Sequence, residues 1–234
     1  MKKIFILFLL VGYCSRAHSQ ILIALLFGEK LNSGKLEFGL VVSPVFTTLT
    51  ETEGDYRSGL NLGLFFNVRP DKKFFLHAEL TAKSAIGAKN LKPYSLGNDS
   101  LDHFFQAGTV ERTIKTMNMI LLGRYTISSH FFLDAGVQTD LLYKARDVFE
   151  TTYNENDLQY TLKLDDRFTR LDFQLATGLF YKFKAAKNSM GIGVRYNRGV
   201  TDIDKIAAGL QANNSWQVNL NIPIGAAPKQ KPAQ

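Results

Sequence analysis

Cysteine is almost absent from this chain of 234 residues, in which Cys14 is the single example. Cys14 lies within residues 1–19, which we expect to be a removable secretory signal. The mature chain would then form neither a disulfide nor a thiolate metal site. Tyr13 precedes Cys14, where lipid attachment would require a small residue, so a lipoprotein is the minor alternative.

The prediction of a signal rests on three features of residues 1–19. Lys2 and Lys3 form a charged start, residues 4–12 are apolar, and residues 17–19 form a small-x-small cleavage site. We therefore expect the protein to be exported. Removal of the signal would lower the formal charge of the chain from +7 to +4.

Long apolar runs and basic patches are also lacking. No apolar run approaches the roughly twenty residues that a transmembrane helix needs. Beyond the signal the basic residues are scattered and form no basic helix or aromatic-interleaved patch, which disfavours a nucleic-acid-binding role. If this protein crosses a membrane, it must do so as a β-barrel.

The chain does have eight segments in which apolar residues alternate with polar or small ones. In the last segment Trp216, Val218 and Leu220 lie on one face, while Gln217 and Asn219 lie on the other. A period of two is that of a strand. The pattern predicts an all-β protein, an eight-stranded antiparallel up-and-down barrel within residues 35–225. The segments cover residues 35–46, 59–69, 74–83, 112–127, 131–143, 171–183, 190–197 and 216–224.

Alternation alone does not tell which face lines the lumen, because a soluble barrel buries its apolar face and a membrane barrel exposes it. Two features of composition favour the membrane barrel. Its polar face is rich in glycine, which suits a crowded interior, and aromatic residues lie near the ends of the apolar face, as interfacial girdles require. The glycines are Gly39, Gly63, Gly136, Gly178, Gly191 and Gly193. The aromatics beside the short gaps are Phe66, Phe74, Tyr125, Phe131, Tyr181 and Phe183, and those beside the long gaps are Phe46, Tyr143, Tyr196 and Trp216.

The lengths of the gaps between segments give a third argument for the membrane. The long gaps, residues 47–58, 85–111, 144–169 and 198–214, alternate with three short ones. Outer-membrane barrels have short periplasmic turns and long external loops. The sequence therefore predicts an outer-membrane location, with both chain ends on the periplasmic side.

Two of the long gaps, and the segments before and after the predicted barrel, each have a distinct sequence pattern. Residues 158–164 alternate, so we expect the sixth strand to begin outside the membrane as an extended hairpin, whereas residues 85–111 indicate an irregular external loop. Residues 20–34 form an apolar, then turn-like segment at the periplasmic interface, for which a later signal cleavage site is the alternative. Residues 226–234 form a polar tail.

Charged residues on the predicted lumen face form the main candidate site. Isolated charges would be costly in an interior only wide enough for side chains, so we expect ion pairs that close the barrel. A narrow conducting path through those pairs is the alternative. The residues concerned are Glu37, Glu79, Asp134, Asp172, Arg124, Lys182 and Arg195, with His77 in the same network and Lys83 on the same face.

Enzymatic and metal-binding patterns are weak. Ser128, Ser129 and His130 lie in a predicted short periplasmic turn with no carboxylate placed to orient the imidazole. His103 lies in a predicted loop, and no metal-ligand spacing is present. We predict no catalytic residue, no cofactor and no metal. An acidic loop, for which calcium binding is the alternative, contains Asp147, Glu150, Glu155, Asp157, Asp165 and Asp166.

The run Leu-Leu-Phe-Gly-Glu-Lys-Leu-Asn-Ser-Gly-Lys-Leu-Glu-Phe-Gly-Leu at residues 25–40 follows the predicted signal directly. It resembles the N-terminal signature of the outer-membrane β-barrel domain proteins of Bacteroidetes, the PorT-like group. The resemblance implies an outer-membrane location and, for the namesake, a role in a secretion apparatus. The tail at residues 226–234 departs from the proteobacterial pattern of ending on an aromatic residue.

These observations favour a non-enzymatic, monomeric outer-membrane barrel with a plugged polar lumen. Its partners would be membrane lipid and an envelope protein or external ligand that contacts the long loops. Three alternatives remain: an accessory component of a secretion or assembly system, a lipid-modifying enzyme, and a narrow pore.

Overall fold

The computed structural model describes residues 36–69, 71, 73–186, 188–207 and 209–224. The expected signal (1–19), the interfacial segment (20–34) and the tail (226–234) lie outside these residues. The described chain forms strands β1 (Leu36–Leu49), β2 (Asp55–Val68), β3 (Phe74–Leu91), β4 (Thr109–Thr126), β5 (Phe131–Tyr153), β6 (Asn156–Lys163), β7 (Leu171–Lys182), β8 (Gly191–Gly199) and β9 (Asn213–Pro223), with the short helix α1 (Asp99–Phe105) between β3 and β4.

Eight of the nine strands close into a ring of antiparallel neighbours. Strands β1 to β5 pair in succession, β5 also pairs with β7, and β8 and β9 follow. The ring closes where β9 pairs with β1, with Leu40 opposite Ile222. The predicted all-β, eight-stranded up-and-down barrel is confirmed.

The exposure of the wall residues confirms which face is which. On β7, Leu175 is 53% exposed, whereas its neighbour Gln174 is 1% exposed. On β9, Trp216 is 47% exposed and Gln217 is 2% exposed. A wall with an apolar outer face and a polar inner face is suited to surrounding hydrocarbon. Its backbone N–H and C=O groups are paired within the ring, so they need no partner from the lipid. Among the described residues, no helix is both long and apolar enough to cross a membrane.

Aromatic side chains form pairs near both ends of the apolar surface. Near the short turns, the ring centroids of Phe131 and Tyr181 are 4.9 Å apart. Near the long connections, those of Tyr196 and Trp216 are 4.8 Å apart. These rings are amphipathic or large and apolar, and they lie where girdles at the membrane interfaces are expected.

The expectation that Lys83 faces the lumen is wrong. The register of β3 shifts between Thr81 and Ser84, which is a β-bulge. Ser84 takes the inward position and its Oγ donates to Asn61 Oδ1 at 2.8 Å, while Lys83 is exposed. Strict alternation holds only where no extra residue is inserted, so the bulge reverses the orientation of Lys83.

The predicted irregular loop over residues 85–111 is largely ordered structure. Strand β3 continues to Leu91, and β4 begins at Thr109. Between them, Asn98 caps the N-terminus of α1, because its side chain accepts hydrogen bonds from the backbone N–H groups of Ser100 and Leu101. The alternation is broken in this part of β3, where Ile86, Gly87 and Ala88 are all buried and the register with β4 shifts between Ala88 and Leu91.

The predicted hairpin outside the membrane is present, with one difference. Strand β6 pairs antiparallel with the outer part of β5, from Tyr153 opposite Asn156 to Arg146 opposite Lys163. It does not continue directly into the barrel, however, because residues 164–170 separate it from β7. The hairpin is therefore an outgrowth of β5 and not an extension of β7.

One lumen glycine shows why small residues are needed on the inner face. A Cβ atom on Gly136 would meet the backbone carbonyl oxygen of Leu121 on the neighbouring strand. The backbones of β4 and β5 approach each other closely at this position, and glycine allows that approach.

We expect an arginine in the middle of the apolar band to destabilise the barrel. Leu175→Arg should lower the free energy of unfolding by about 2–4 kcal/mol, and Leu171→Arg, at the external end of the same strand, by about 0–1 kcal/mol. Urea titration of the protein in lipid vesicles measures both. Equal losses at the two positions would show that this band does not lie in hydrocarbon.

Candidate functional site

Three of the four predicted lumen carboxylates form buried ion pairs. Arg195 donates to both oxygens of Glu79, at 2.9 and 2.7 Å. Arg124 makes the same two-pronged contact with Asp134, at 2.7 and 2.8 Å. Such paired contacts hold both groups in one geometry. The structure thus places these charges together in the lumen, as the sequence predicted.

The third pair joins Lys182 and Glu37, whose Nζ and Oε1 atoms are 3.1 Å apart. Asn67 donates from Nδ2 to Glu37 at 2.8 Å, and its Oδ1 contacts Nδ1 of His77 at 2.5 Å. His77 in turn contacts Glu79 through Nε2 at 2.7 Å. His77 therefore bridges two ion pairs and has a structural place in the lumen, as expected.

A floor of aromatic rings lies on the periplasmic side of this network. Phe75, Phe132 and Phe180 form a buried cluster. The guanidinium of Arg124 lies 3.9 Å from the centroid of the Phe180 ring, within the range of a cation–π contact. Ion pairs and aromatic rings thus lie next to each other at the periplasmic end of the lumen.

Asp172 does not pair with a cation, contrary to the expectation. It lies opposite Asp140 across β7 and β5, and both are 0% exposed. Within the described residues no ion pair includes either one; the Nε2 of Gln174 donates to both carboxylates, at 2.9 and 2.7 Å. The sequence shows Asp140 on the lumen face, but the pairing register is needed to place it beside Asp172.

At the external ends of the strands, the long connections share a hydrophobic cluster. It combines residues from β1, β3, α1, β4, β5, the 164–170 segment and the last long connection. We call it the external core. Its buried members are Leu49, Ile86, Ala88, Leu91, Phe105, Val110, Ile114, Leu142, Ala145, Phe149, Phe168 and Ile203.

Ion pairs fasten the connections around the external core. Arg112 donates to both oxygens of Asp147, at 2.9 and 2.8 Å, and Arg167 donates from Nε to Asp204 at 2.8 Å. Tyr94 donates its hydroxyl to Asp147 at 2.8 Å. Together with the ion pair between Arg112 and Asp204 at 3.4 Å, these contacts join β4, β5 and three connections that are distant in sequence.

Tyr94 and Asp204 in this region have shifted pKa values. Burial, followed by the nearby Asp147 carboxylate and the hydrogen bond to it, raises the pKa of Tyr94. Burial also acts to raise the pKa of Asp204, but hydrogen bonds from Arg167 and from backbone N–H groups outweigh it, so the net pKa is lowered. Tyr94 thus remains a hydrogen-bond donor and Asp204 an anion.

The predicted acidic loop is used for structure. Asp147 is fully buried against Arg112, and Asp165 accepts a hydrogen bond from the backbone N–H of Ala145 at 2.7 Å. Asp157 accepts from Thr152, across the hairpin. In the part of the chain that the structure describes, no group of three or more His, Cys, Asp or Glu side chains could hold a metal ion.

The Ser–His turn has a structural role. The Oγ of Ser128 accepts hydrogen bonds from the backbone N–H groups of His130 and Phe131, at 3.3 and 3.2 Å. His130 is close to the Oγ of Ser129, at 2.9 Å, and stacks on Tyr181 at the rim. Among the described residues no carboxylate is hydrogen-bonded to His130, and His103 lies far away on α1.

Residues 29–205 match the sequence profile of the family described as "Outer membrane protein beta-barrel domain". No curated protein sequence is similar to the chain at a significant level. The match covers most of the barrel and its external connections.

Several solved structures share features of the fold at low sequence identity. One is Ail, the attachment invasion locus protein of Yersinia pestis, solved in complex with the heparin analogue sucrose octasulfate (8% identity, 81% of this chain and 99% of that chain covered, TM-score 0.44). Others are the Neisserial surface protein A (10% identity, 80% and 96% covered, TM-score 0.39) and OprG of Pseudomonas aeruginosa (14% identity, 81% and 94% covered, TM-score 0.39).

Two carboxylates of the lumen should respond differently to loss of charge. Glu79→Gln leaves Arg195 buried without a counter-charge and should cost about 3–5 kcal/mol of unfolding free energy. Asp172→Asn removes one of two adjacent like charges and should leave the unfolding free energy unchanged or raise it. Urea titration in lipid vesicles compares the two variants, which share the same change of charge in the same lumen. A loss for Asp172→Asn as large as that for Glu79→Gln would contradict the pairing described.

Proposed function

Because this protein belongs to the outer membrane protein beta-barrel domain family and lies in the outer membrane, we propose that it is a non-enzymatic, closed barrel that holds a folded binding platform outside the cell. The platform consists of the external core and the β5–β6 hairpin. The observation that carries the proposal is the external core itself, because a bundle of loops with its own hydrophobic interior lies at the external ends of the strands.

The contents of the lumen support a closed barrel. An eight-stranded barrel has an interior just wide enough for side chains. Here that interior contains Arg195 at 1% exposure, Gln138 at 2% and Phe180 at 3%. The ion pairs hold the long side chains across the bore, so water and ions have no open path through the layers they occupy.

The hairpin supports a role in binding. Strand β6 is the last strand of the sheet order, so among the described strands only β5 pairs with it and its second edge is open. An open edge offers unpaired backbone donors and acceptors to an extended segment of another protein. The inner side chains Leu158, Tyr160 and Leu162 pack on the external core, which keeps that edge in a fixed position.

The arrangement of polar residues supports a non-enzymatic role. Hydrolysis by a Ser–His–carboxylate triad needs a base that a third group orients and a nucleophile within its reach. His77 lies inside the ion-pair network, and Ser128 caps a turn. Both ring nitrogens of His77 are hydrogen-bonded within the lumen, and His130 contacts the Ser129 hydroxyl with no hydrogen-bonded carboxylate, among the described residues, to orient it.

We expect the wild-type protein to conduct no ions in a planar lipid bilayer. The ion pairs and the external core are both barriers, so single-channel steps should be absent over the range of applied voltages. As a control for insertion, the triple variant Glu79→Ala/Arg195→Ala/Phe149→Ala removes one ion pair of the lumen and one large side chain of the external core. This variant should give measurable leakage. Steps of reproducible size in the wild-type protein would reject the closed barrel and support the narrow pore.

Cross-linking in intact cells tests the binding platform. A photoreactive residue at Thr161, on the outer face of β6, should give discrete adducts with a macromolecule, whereas the same residue at Leu175 should react with lipid only. Ser129, in a periplasmic turn, is the third position. Adducts at Ser129 without adducts at Thr161 would contradict the external platform and favour the accessory of a secretion or assembly system.

A further inference from the structure

Basic residues lie directly opposite one another on the outer surface of β4, β5 and β6. Lys115 is paired in register with Lys144, and Arg146 with Lys163. Within the described residues none of these four side chains takes part in an ion pair. Like charges opposite each other destabilise a sheet. Two such pairs in succession point to an anion that neutralises them when it is bound.

A cleft of about 460 Å³ lies beside these pairs. Lys144, Arg170 and Lys205 contribute its positive charge, and Asp165 and Asp166 are also in its lining. One oxygen of Asp165 accepts a hydrogen bond from the backbone N–H of Ala145. The lining of the cleft thus includes three cationic groups, from β5, the 164–170 segment and the last long connection, and the Lys205 ammonium also donates to the backbone carbonyl of Asp166 at 3.1 Å.

The cleft lies at the external boundary of the membrane. Tyr143, which is 51% exposed, is among its lining residues and belongs to the external aromatic set. Directly below, Met117, Leu141 and Leu171 lie opposite one another on adjacent strands and are 42%, 45% and 47% exposed. A charged cleft thus sits above a continuous apolar strip of three strands.

We propose that this cleft and the adjacent basic pairs bind an outer-leaflet lipid whose headgroup carries phosphate. The phosphate contacts Lys144, Arg170 and Lys205, and the acyl chains lie along the strip formed by Met117, Leu141 and Leu171. A soluble anion would use the charges alone, whereas a lipid uses the charges and the strip beneath them. Basic pockets at the membrane surface select anionic headgroups by this combination.

The site does not depend on whether the lumen conducts or the hairpin binds a partner. The cleft borders the external core, but the charged side chains proposed to hold the headgroup, Lys144, Arg170 and Lys205, are exposed and are not members of that core. Substitution of Lys144 and Lys205 therefore tests lipid binding without altering the buried residues of the external core or the open edge of β6.

Native mass spectrometry of the full-length protein in a neutral detergent tests the site, with bis-phosphorylated lipid A as the probe. The wild-type protein should retain lipid A in preference to zwitterionic phosphatidylcholine. Lys144→Gln/Lys205→Gln should weaken lipid A binding roughly 10- to 30-fold. The matched control Lys73→Gln/Lys184→Gln removes the same two charges at the periplasmic turns and should leave binding unchanged.

One further variant and two soluble competitors distinguish a bound lipid from a bound soluble anion. Asp166→Asn should strengthen lipid A binding, since it removes a negative charge from the cleft lining. Inorganic phosphate and a soluble sulfated polysaccharide should not displace lipid A. Displacement by either, or an equal loss in the Lys73→Gln/Lys184→Gln control, would overturn the lipid site. Unchanged heat-modifiable gel mobility shows that each variant retains the barrel.

Discussion

The structure depends on one constraint: backbone N–H and C=O groups within hydrocarbon must find their partners inside the wall itself. The strands meet this requirement by closing, with β9 paired to β1. Closure of eight strands fixes the bore at the width of side chains. Since the outer surface faces lipid, the polar residues of every strand are directed into this narrow bore, and they must satisfy one another there.

The layers of the lumen meet that requirement in two ways. Toward the periplasm, cations and carboxylates are matched one to one, and the Arg195–Glu79 pair can be buried because both charges keep several hydrogen bonds. Closer to the external core, Asp140 and Asp172 share amide donors from Gln138 and Gln174. This second layer is polar and hydrogen-bonded but lacks a counter-charge among the described residues, so it is the least compensated part of the lumen.

Much of the wall was predictable from the sequence, because a half-buried strand imposes a period of two that is visible without any partner. The eight wall strands, their faces and the presence of charges of both signs in the lumen follow from this period. The bulge that turns Lys83 outward was not visible, because nothing in the amino-acid composition of the segment marks the inserted residue. The Asp140–Asp172 contact and the Lys115–Lys144 pair were hidden for another reason: alternation gives the face of a residue but not its partner across the strand pair.

The external core was also hidden, and β5 shows why. Along this strand, apolar residues stay at odd positions, from Leu133 and Leu141 in the wall to Ala145 and Phe149 beyond it. The register with β4 shifts between Lys115 and Thr116, so one extra residue of β5 is accommodated near Tyr143. Before this bulge the odd positions face lipid, and after it they face inward.

A single bulge thus reverses which face of β5 is apolar at the level where the surroundings change from hydrocarbon to water. Below that level an apolar outer face is stable in lipid; above it the same face would be exposed to water, so it is buried in the external core. The even positions reverse with it, and Lys144 and Arg146 emerge on the outside just above the apolar strip. The inward position of Ala145 and Phe149 and the outward position of Lys144 and Arg146 are therefore two consequences of the same inserted residue.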